Sequence, residues 1–264
     1  IIVAVIGLLS ALLTVFLAPY LKTKLDSEKL KKLGINLAGI KTIEDGFTAC
    51  AYITTDKADN QITGFAPSAM STPVFPEITP VVNKGDWALI GPGNSDDMIN
   101  LAAFYREKGI KYIFDPGQQT TALSGEQLAA GLTGAEILIG NDYEIELIRK
   151  ATGLSLDDIL DRVGTLITTY GAKGSSLERK GFAPYPIPAV KPDTVADPTG
   201  AGDSFRSGLL KCLHAGMGVE ISARFGAVAS SFCVEKYGTQ VHAFTADEFR
   251  LRFEAAFGPM PLLK

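Results

Sequence analysis

The sequence has 264 residues, of which 46% are hydrophobic and 20% are charged. This balance is typical of a globular protein with a sizeable core, and it argues against disordered, collagen-like and coiled-coil chains. The formal net charge of −4 provides no basic excess for a nucleic-acid backbone, which argues against a dedicated DNA- or RNA-binding role. The widely spaced Cys50, Cys212 and Cys233 form no C-x-x-C pair, so we expect reduced thiols in a cytoplasmic protein.

The first 21 residues are almost entirely apolar. Their length is close to the roughly 20 residues of a membrane-spanning helix. We favour two buried core segments instead, Ile1–Ile6 and Leu12–Leu17, separated near Gly7, because the following sequence has the pattern of an α/β protein that does not contact a membrane. A membrane-anchored protein is the alternative, which partitioning of the native chain with membranes would decide.

From residue 86 onward, short apolar runs alternate with amphipathic stretches. The predicted strands are Trp87–Ile90, Tyr112–Phe114, Ile137–Ile139 and Thr165–Ile167, and the predicted helices between them are Asp97–Lys108, Gly125–Gly131 and one that ends near Lys150. Apolar strands that alternate with helices predict an α/β fold with a mostly parallel sheet covered on both faces.

Polar residues follow these strands at the edge where such sheets bind ligands. They are Asn94, Asp115, Gln118, Asn141, Thr169 and Gly171. We expect them to form one site.

The segment from 44 to 75 has a different pattern, with two strands, Phe47–Thr54 and Ile62–Phe65, joined by a polar turn. This pattern predicts an antiparallel hairpin outside the main sheet. Further along, the sequence predicts a strand pair around Leu177 and Tyr185, then helices that begin near Gly202, near Val219 and after a capping box at Thr245.

The segment with the clearest chemistry is Asp197–Phe205, which reads Asp-Pro-Thr-Gly-Ala-Gly-Asp-Ser-Phe. Its small residues allow close approach of the backbone to a ligand, and a helix that begins near Gly202 offers unpaired N–H groups to an anion such as a phosphate. Asp203 is then either an acid that complements the helix dipole or a general base beside an anion hole.

This segment closely resembles the C-terminal signature of the ribokinase-like (PfkB) carbohydrate and nucleoside kinases. Two further segments are similar to motifs of that family and follow in the same order: Asn141–Glu144 resembles N-x-x-E, and Thr169–Gly174 resembles T-x-G-x-x-G. The segments 59–63 and 114–118 are similar to the nucleoside-kinase branch. The resemblance covers roughly residues 20 to 258.

The resemblance implies a single ribokinase-like domain over residues 1–264, a three-layer α/β/α structure with a small β lid formed mainly by about 44–75. It implies Asp203 as the base and an anion hole formed by Gly200, Ala201 and Gly202. It also implies ATP as the donor and Mg²⁺ organised by Asn141 and Glu144, in our view through water. The remaining implied contacts are Thr169, Gly171 and Gly174 with the nucleotide and Asn60, Gln61 and Gln118 with the acceptor.

The sequence departs from the family near Gly7, where a substrate-binding stretch is absent. We expect an omission from the sequence rather than a truncated chain, because a chain that lacks these groups would hold an acceptor poorly. The stretch would complete the lid.

Other residues are assigned ordinary roles. His214 is expected at a helix end and His242 in a loop, and Arg206 is left open between a phosphate contact and a structural salt bridge.

The predicted function is an ATP- and Mg²⁺-dependent kinase that phosphorylates the hydroxymethyl group of a nucleoside, adenosine first. A sugar kinase for ribose or fructose is the alternative, and a non-catalytic sugar- or nucleoside-binding regulator is the alternative of another class. Dependence on a monovalent cation such as potassium and the choice between monomer and homodimer are left open.

Overall fold

The computed structural model describes residues 30–44, 46–55, 61–239 and 241–262. The chain divides into two compact units, one formed by Ile1–Val82 with Gly93–Asn100 and the other by Asn83–Pro92 with Leu101–Lys264. The two apolar runs expected before residue 21 lie outside the described residues. None of the described helices is long and apolar enough to cross a membrane.

The first unit contains the hairpin that the sequence predicts. Strands β1 (Cys50–Thr55) and β2 (Gln61–Ala66) pair antiparallel in a sheet of their own. The short helix α1 (Phe75–Ile78) follows, and the buried carboxylate of Asp97 accepts hydrogen bonds from the amides at its start, Val74 N at 2.6 Å and Phe75 N at 3.1 Å. Asp97 therefore supplies the acceptor that the α1 terminus lacks in its own sequence.

The second unit is built on a six-stranded sheet in the order of the chain. Its strands are β3 (Trp87–Ile90), β4 (Lys111–Phe114), β5 (Ile137–Asn141), β6 (Thr165–Thr169), β7 (Ser175–Glu178) and β8 (Tyr185–Ile187). The first four are parallel and the last two are antiparallel additions. The mostly parallel sheet is confirmed.

Seven α-helices longer than α1 follow in the described part of the chain. They are α2 (Ser95–Lys108), α3 (Gly125–Leu132), α4 (Asp142–Thr152), α5 (Leu156–Leu160), α6 (Ala201–His214), α7 (Val219–Cys233) and α8 (Ala246–Phe257). Four of them, α3, α4, α5 and α8, begin in capping boxes, as the sequence predicts for α8 at Thr245.

The two faces of the central sheet pack against different helices because side chains alternate along a strand. Ile113 and Ile167 belong to the core shared with α6, α7 and α8. On the opposite face, the Tyr112 hydroxyl donates to the Gly131 carbonyl of α3 at 3.1 Å, and a Cβ on Gly131 would lie 2.3 Å from the Phe114 ring. The result is a three-layer α/β/α arrangement.

Helices α6 and α7 approach each other unusually closely. A Cβ added to Gly208 of α6 would lie 2.7 Å from the Phe225 carbonyl oxygen, and one added to Gly226 of α7 would lie 2.7 Å from the Phe205 carbonyl oxygen. Since each glycine faces the backbone of the other helix, the two helices pack at a distance that leaves no room for a side chain at either position.

Candidate active site

The candidate site is built around the beginning of α6. Gly200 caps this helix with φ of 89°, a left-handed conformation that favours glycine. The first helical residue is therefore Ala201, one position before the predicted start at Gly202. A Cβ on Gly200 would also lie 3.3 Å from Thr239 Cα, so the turn leaves little room for a side chain.

The first turn of α6 leaves backbone donors available. The Ala201 amide donates to the Pro198 carbonyl at 3.2 Å, and the Ser204 amide donates to the Gly200 carbonyl at 2.9 Å. Within the described residues, the amides of Gly202 and Asp203 have no recorded hydrogen-bond acceptor. Unpaired amides at the positive end of a helix dipole form a binding site for an anion.

Asp203 lies in this first turn with its side chain exposed. Its backbone carbonyl accepts a hydrogen bond from Ser207 Oγ at 2.9 Å. The carboxylate is thus accessible to solvent in the same helical turn as the unpaired amides.

Asp197 holds the loop before α6 in place. Its carboxylate accepts hydrogen bonds from the Thr199 amide at 2.9 Å and the Gly238 amide at 3.1 Å. The bonds from Thr199 and then from Gly238 lower the pKa of Asp197 below its ordinary value, so the loop is fastened by an ionised side chain. The sequence signal for this role is the Asp-x-Thr spacing of an Asx turn.

Two hydrogen bonds fasten the first turn of α6 from the side. Ser230 Oγ of α7 donates to the Ala201 carbonyl at 2.7 Å. Ser204 Oγ, which is buried, lies 3.2 Å from His242 Nε2. His242 is therefore a loop residue, as predicted, but it contacts the helix that contains Asp203; His214 ends α6, also as predicted.

Asn141 and Glu144 form the capping box of α4. Asn141 Oδ1 accepts from the Glu144 amide at 2.7 Å, and Glu144 Oε2 accepts from the Asn141 amide at 2.8 Å. Asn141 ends β5 and pairs in register with Thr169 at the end of β6, so the sheet brings the two predicted motifs together. No group of three His, Cys, Asp or Glu side chains with the geometry of a metal site occurs in the described parts of the chain.

The turn after β6 contains two glycines with positive φ, Gly171 at 56° and Gly174 at 90°. A Cβ on Gly171 would meet nothing within 4 Å, whereas one on Gly174 would lie 2.2 Å from the Ile187 carbonyl oxygen. The Tyr170 amide donates to the Gly174 carbonyl at 2.8 Å and closes the turn. Gly174 is therefore needed for the turn itself.

A buried ion pair joins β4 to α6. Asp115 follows the last residue of β4, and its carboxylate accepts from Arg206 Nη2 at 2.7 Å and lies in ion-pair contact with Arg206 Nε. The side chains of Asp115 and Arg206 are only 3% and 15% exposed. Arg206 thus forms a salt bridge, which is one of the two contacts that the sequence left open.

Burial raises the pKa of Asp115 to about 6. The Arg206 guanidinium opposes this rise, and the negative charges of Glu144 and Asp203 add to it. The Asp115 carboxyl group therefore interacts electrostatically with Glu144 of α4 and Asp203 of α6.

This raised pKa predicts a pH-dependent stability. The folded protein binds the Asp115 proton more tightly than the unfolded chain, where the pKa is near 3.8. Stability from this group is therefore greatest below the unfolded pKa and is lost as pH rises through about 6. Relative to an Asp115→Asn variant, the wild type should gain about 2 kcal/mol of folding stability between about pH 7 and pH 4. Urea unfolding of both proteins at the two pH values measures the gain, and a constant difference would contradict it.

The remaining predicted residues lie as follows. Gln118 is exposed on the 3₁₀ turn Gly117–Thr121, directly after Asp115 and Pro116. Gln61 is the first residue of β2, opposite Thr55, and Asn60 lies outside the described residues. Asn94 caps α2 and donates to the Ser71 carbonyl at 3.0 Å within the first unit, so it has a structural role there.

The fold and this site define a class, the α/β phosphotransferases of the ribokinase-like fold. A model of the pfkB family carbohydrate kinases matches residues 27–245. The chain belongs to the pfkB carbohydrate kinase family, and it is a kinase that transfers a phosphoryl group to a hydroxyl group.

Several known nucleoside kinases are similar to this chain in sequence and in structure. A nucleoside kinase of Methanocaldococcus jannaschii is 35% identical over 226 residues, which cover 85% of this chain and 73% of the relative. The structure of Burkholderia thailandensis nucleoside kinase in complex with inosine superposes with a TM-score of 0.84 at 33% identity, over 94% of this chain and 79% of that chain. The structure of the same Burkholderia enzyme in complex with ADP-inosine superposes with a TM-score of 0.83 at 33% identity, over 94% of this chain and 75% of that chain.

Proposed function

We propose that this protein is an ATP-dependent kinase for the hydroxymethyl group of a nucleoside. The observation that carries the proposal is the exposed Asp203 carboxylate beside the unpaired amides of Gly202 and Asp203 at the start of α6. The nucleoside specificity is supported by the relatives named above, one of which was solved with inosine. Adenosine and inosine are therefore the first acceptors to test.

In the proposed reaction, Asp203 accepts the proton of the acceptor hydroxyl as its oxygen attacks the terminal phosphorus of ATP. The new O–P bond forms while the bond from that phosphorus to the bridging oxygen breaks, and ADP leaves with the electron pair. The amides of Gly202 and Asp203 donate to the oxygens on which charge develops. Of the three amides predicted for the anion hole, at Gly200, Ala201 and Gly202, the proposal keeps that of Gly202 and adds that of Asp203. The Ala201 amide already donates to the Pro198 carbonyl.

Asn141 and Glu144 suit a water-mediated Mg²⁺ site. One oxygen of each side chain is engaged in the capping box, and Glu144 Oε1 has no hydrogen-bond donor among the described residues. Mg²⁺ keeps several of its water ligands and takes only one or two carboxylates, so a single free carboxylate oxygen fits it. When bound, the ion supplies positive charge that neutralises the donor phosphates.

The remaining assignments are proposed from the family motifs. Thr169, Gly171 and Gly174 would line the donor nucleotide. Thr169 is the last residue of β6, the neighbour of β5, and the two glycines belong to the turn that follows. Gln118, with Asn60 and Gln61 of the β1–β2 hairpin, would contact the acceptor, and this hairpin would serve as the lid.

A sugar kinase for ribose or fructose is the second candidate, because the family model that matches the chain is that of the carbohydrate kinases. A non-catalytic binding protein on this fold would need neither an exposed carboxylate nor free amides at α6, so the geometry favours an enzyme.

One experiment separates the candidates. ADP formation from ATP with Mg²⁺ is measured with adenosine, inosine, ribose and fructose, each with and without potassium. We expect acceptor-dependent turnover with the nucleosides that exceeds that with the free sugars by at least about tenfold, the effect of about 1.4 kcal/mol of extra binding in the transition state. Turnover with the sugars alone would favour the second candidate, and no turnover with any acceptor would favour the binding protein.

A further inference from the structure

The inference concerns Arg206, which lies on the same face of α6 as the unpaired amides. Arg206 follows Gly202 by four residues and Asp203 by three, and side chains on a helix tilt toward its N-terminus. A Cβ built on Gly202 would lie 2.5 Å from Arg206 Nη1. The guanidinium group therefore covers the first turn of the helix, where Gly202 provides the space.

Asp115 fixes the orientation of this guanidinium group. Asp115 accepts a hydrogen bond from Nη2 at 2.7 Å and lies in ion-pair contact with Nε, so two nitrogens of the planar guanidinium face one carboxylate. Nη1 has no recorded acceptor among the described residues. Of the two terminal nitrogens of Arg206, Nη2 is bonded to Asp115 and Nη1, which faces Gly202, is available to a ligand.

The charge balance at this edge of the sheet calls for such a donor. Asp115 interacts electrostatically with the carboxylates of Glu144 and Asp203, and Arg206 is paired with Asp115. A nucleoside triphosphate would add further negative charge there. Buried ion pairs contribute little net stability, so a pair as buried as Asp115–Arg206 is better explained by what it positions.

We propose that Arg206 is a catalytic residue whose Nη1 donates a hydrogen bond to the phosphoryl group held at the start of α6, and that Asp115 is the positioning residue that aims it. This inference rests on the proposed function and adds a third donor to the amides of Gly202 and Asp203. A charged donor stabilises charge on the transferred group more strongly than a neutral amide does.

The test measures equilibrium binding by calorimetry in the absence of an acceptor. The probes are ADP and the non-hydrolysable ATP analogue AMP-PNP, each with Mg²⁺. Arg206→Ala should weaken AMP-PNP binding by about 10- to 100-fold, the loss expected for a hydrogen bond to a charged group. ADP lacks the terminal phosphoryl group, so its affinity should change by less than about threefold.

The matched control is Arg179→Ala, which breaks a half-exposed ion pair with Glu220. Arg179 also donates to Thr165, the first residue of β6, at the opposite edge of the sheet from the site. This variant should bind AMP-PNP as the wild type does. Arg206→Lys keeps the charge but not the two-point contact with Asp115, so its AMP-PNP affinity should fall between those of the wild type and Arg206→Ala.

A double variant, Asp115→Asn with Arg206→Gln, guards against unfolding of Arg206→Ala, because it replaces both charges and leaves no buried charge unpaired. It should lose AMP-PNP affinity to the same extent as Arg206→Ala. If the folded double variant binds AMP-PNP as tightly as the wild type, the inference is overturned while the proposed function stands. If the wild type binds neither AMP-PNP nor ADP, the proposed function is overturned with it.

Discussion

Replacing Asp203 by Asn lowers kcat for phosphoryl transfer by about 10²- to 10⁴-fold, the usual contribution of a general base. The amide cannot accept the proton of the attacking hydroxyl, but it occupies the same volume at the exposed first turn of α6. Since the base acts only in the transition state, KM for ATP and for the acceptor should change little. Steady-state kinetics with a saturating nucleoside measures both constants.

The matched control for this prediction is Asp247→Asn. Asp247 is also an exposed acid in the first turn of a helix, α8, and it lies in a different part of the second unit. If Asp203 only complements the helix dipole, both variants lose about 0.3–1 kcal/mol of stability and neither loses activity. Full activity of Asp203→Asn would remove Asp203 from the role of base.

Replacing Gly174 by Ala destabilises the protein by about 3 kcal/mol or more. A residue with a side chain pays about 1–3 kcal/mol for the backbone conformation of Gly174, with φ of 90° and ψ of −142°. The new Cβ would also lie 2.2 Å from the Ile187 carbonyl oxygen, and backbone that is held in the β7–β8 pairing cannot move away cheaply. Urea unfolding at neutral pH gives the free energy.

Gly181→Ala is the control for a positive φ without a steric contact. Gly181, in the turn between β7 and β8, has φ of 77°, and a Cβ there would meet nothing within 4 Å. The Gly181→Ala variant should lose only about 1–2 kcal/mol of its free energy of unfolding. Equal losses in the two variants would show that the contact with Ile187 relaxes without cost.

The parallel strands were the part of the fold that the sequence predicted best. Ile137–Ile139 and Thr165–Ile167 are short apolar runs buried on both faces, so their pattern is unambiguous, although each strand extends two residues further than predicted. The helix predicted to begin near Gly202 begins at Ala201, because the left-handed cap at Gly200 is a backbone conformation that helix propensity does not contain.

The site was predicted unevenly for a similar reason. Asp203 and the glycines before it are contiguous in the chain, so they can be recognised as a motif from the sequence alone. The pairing of Asp115 with Arg206 joins residues 91 positions apart, and only the packing of α6 against the sheet brings them together. The sequence indicated both residues as candidates but contained no signal that they are partners.

The close contact of α6 with α7 has a consequence for engineering. Changing a helical glycine to alanine is a common way to raise thermal stability, because it reduces the conformational entropy of the unfolded chain. At Gly208 and Gly226 this strategy would fail, since the added methyl group would push against the backbone of the neighbouring helix. Attempts to make a more heat-resistant form should begin at positions such as Gly91, where the space is open and the backbone conformation suits alanine.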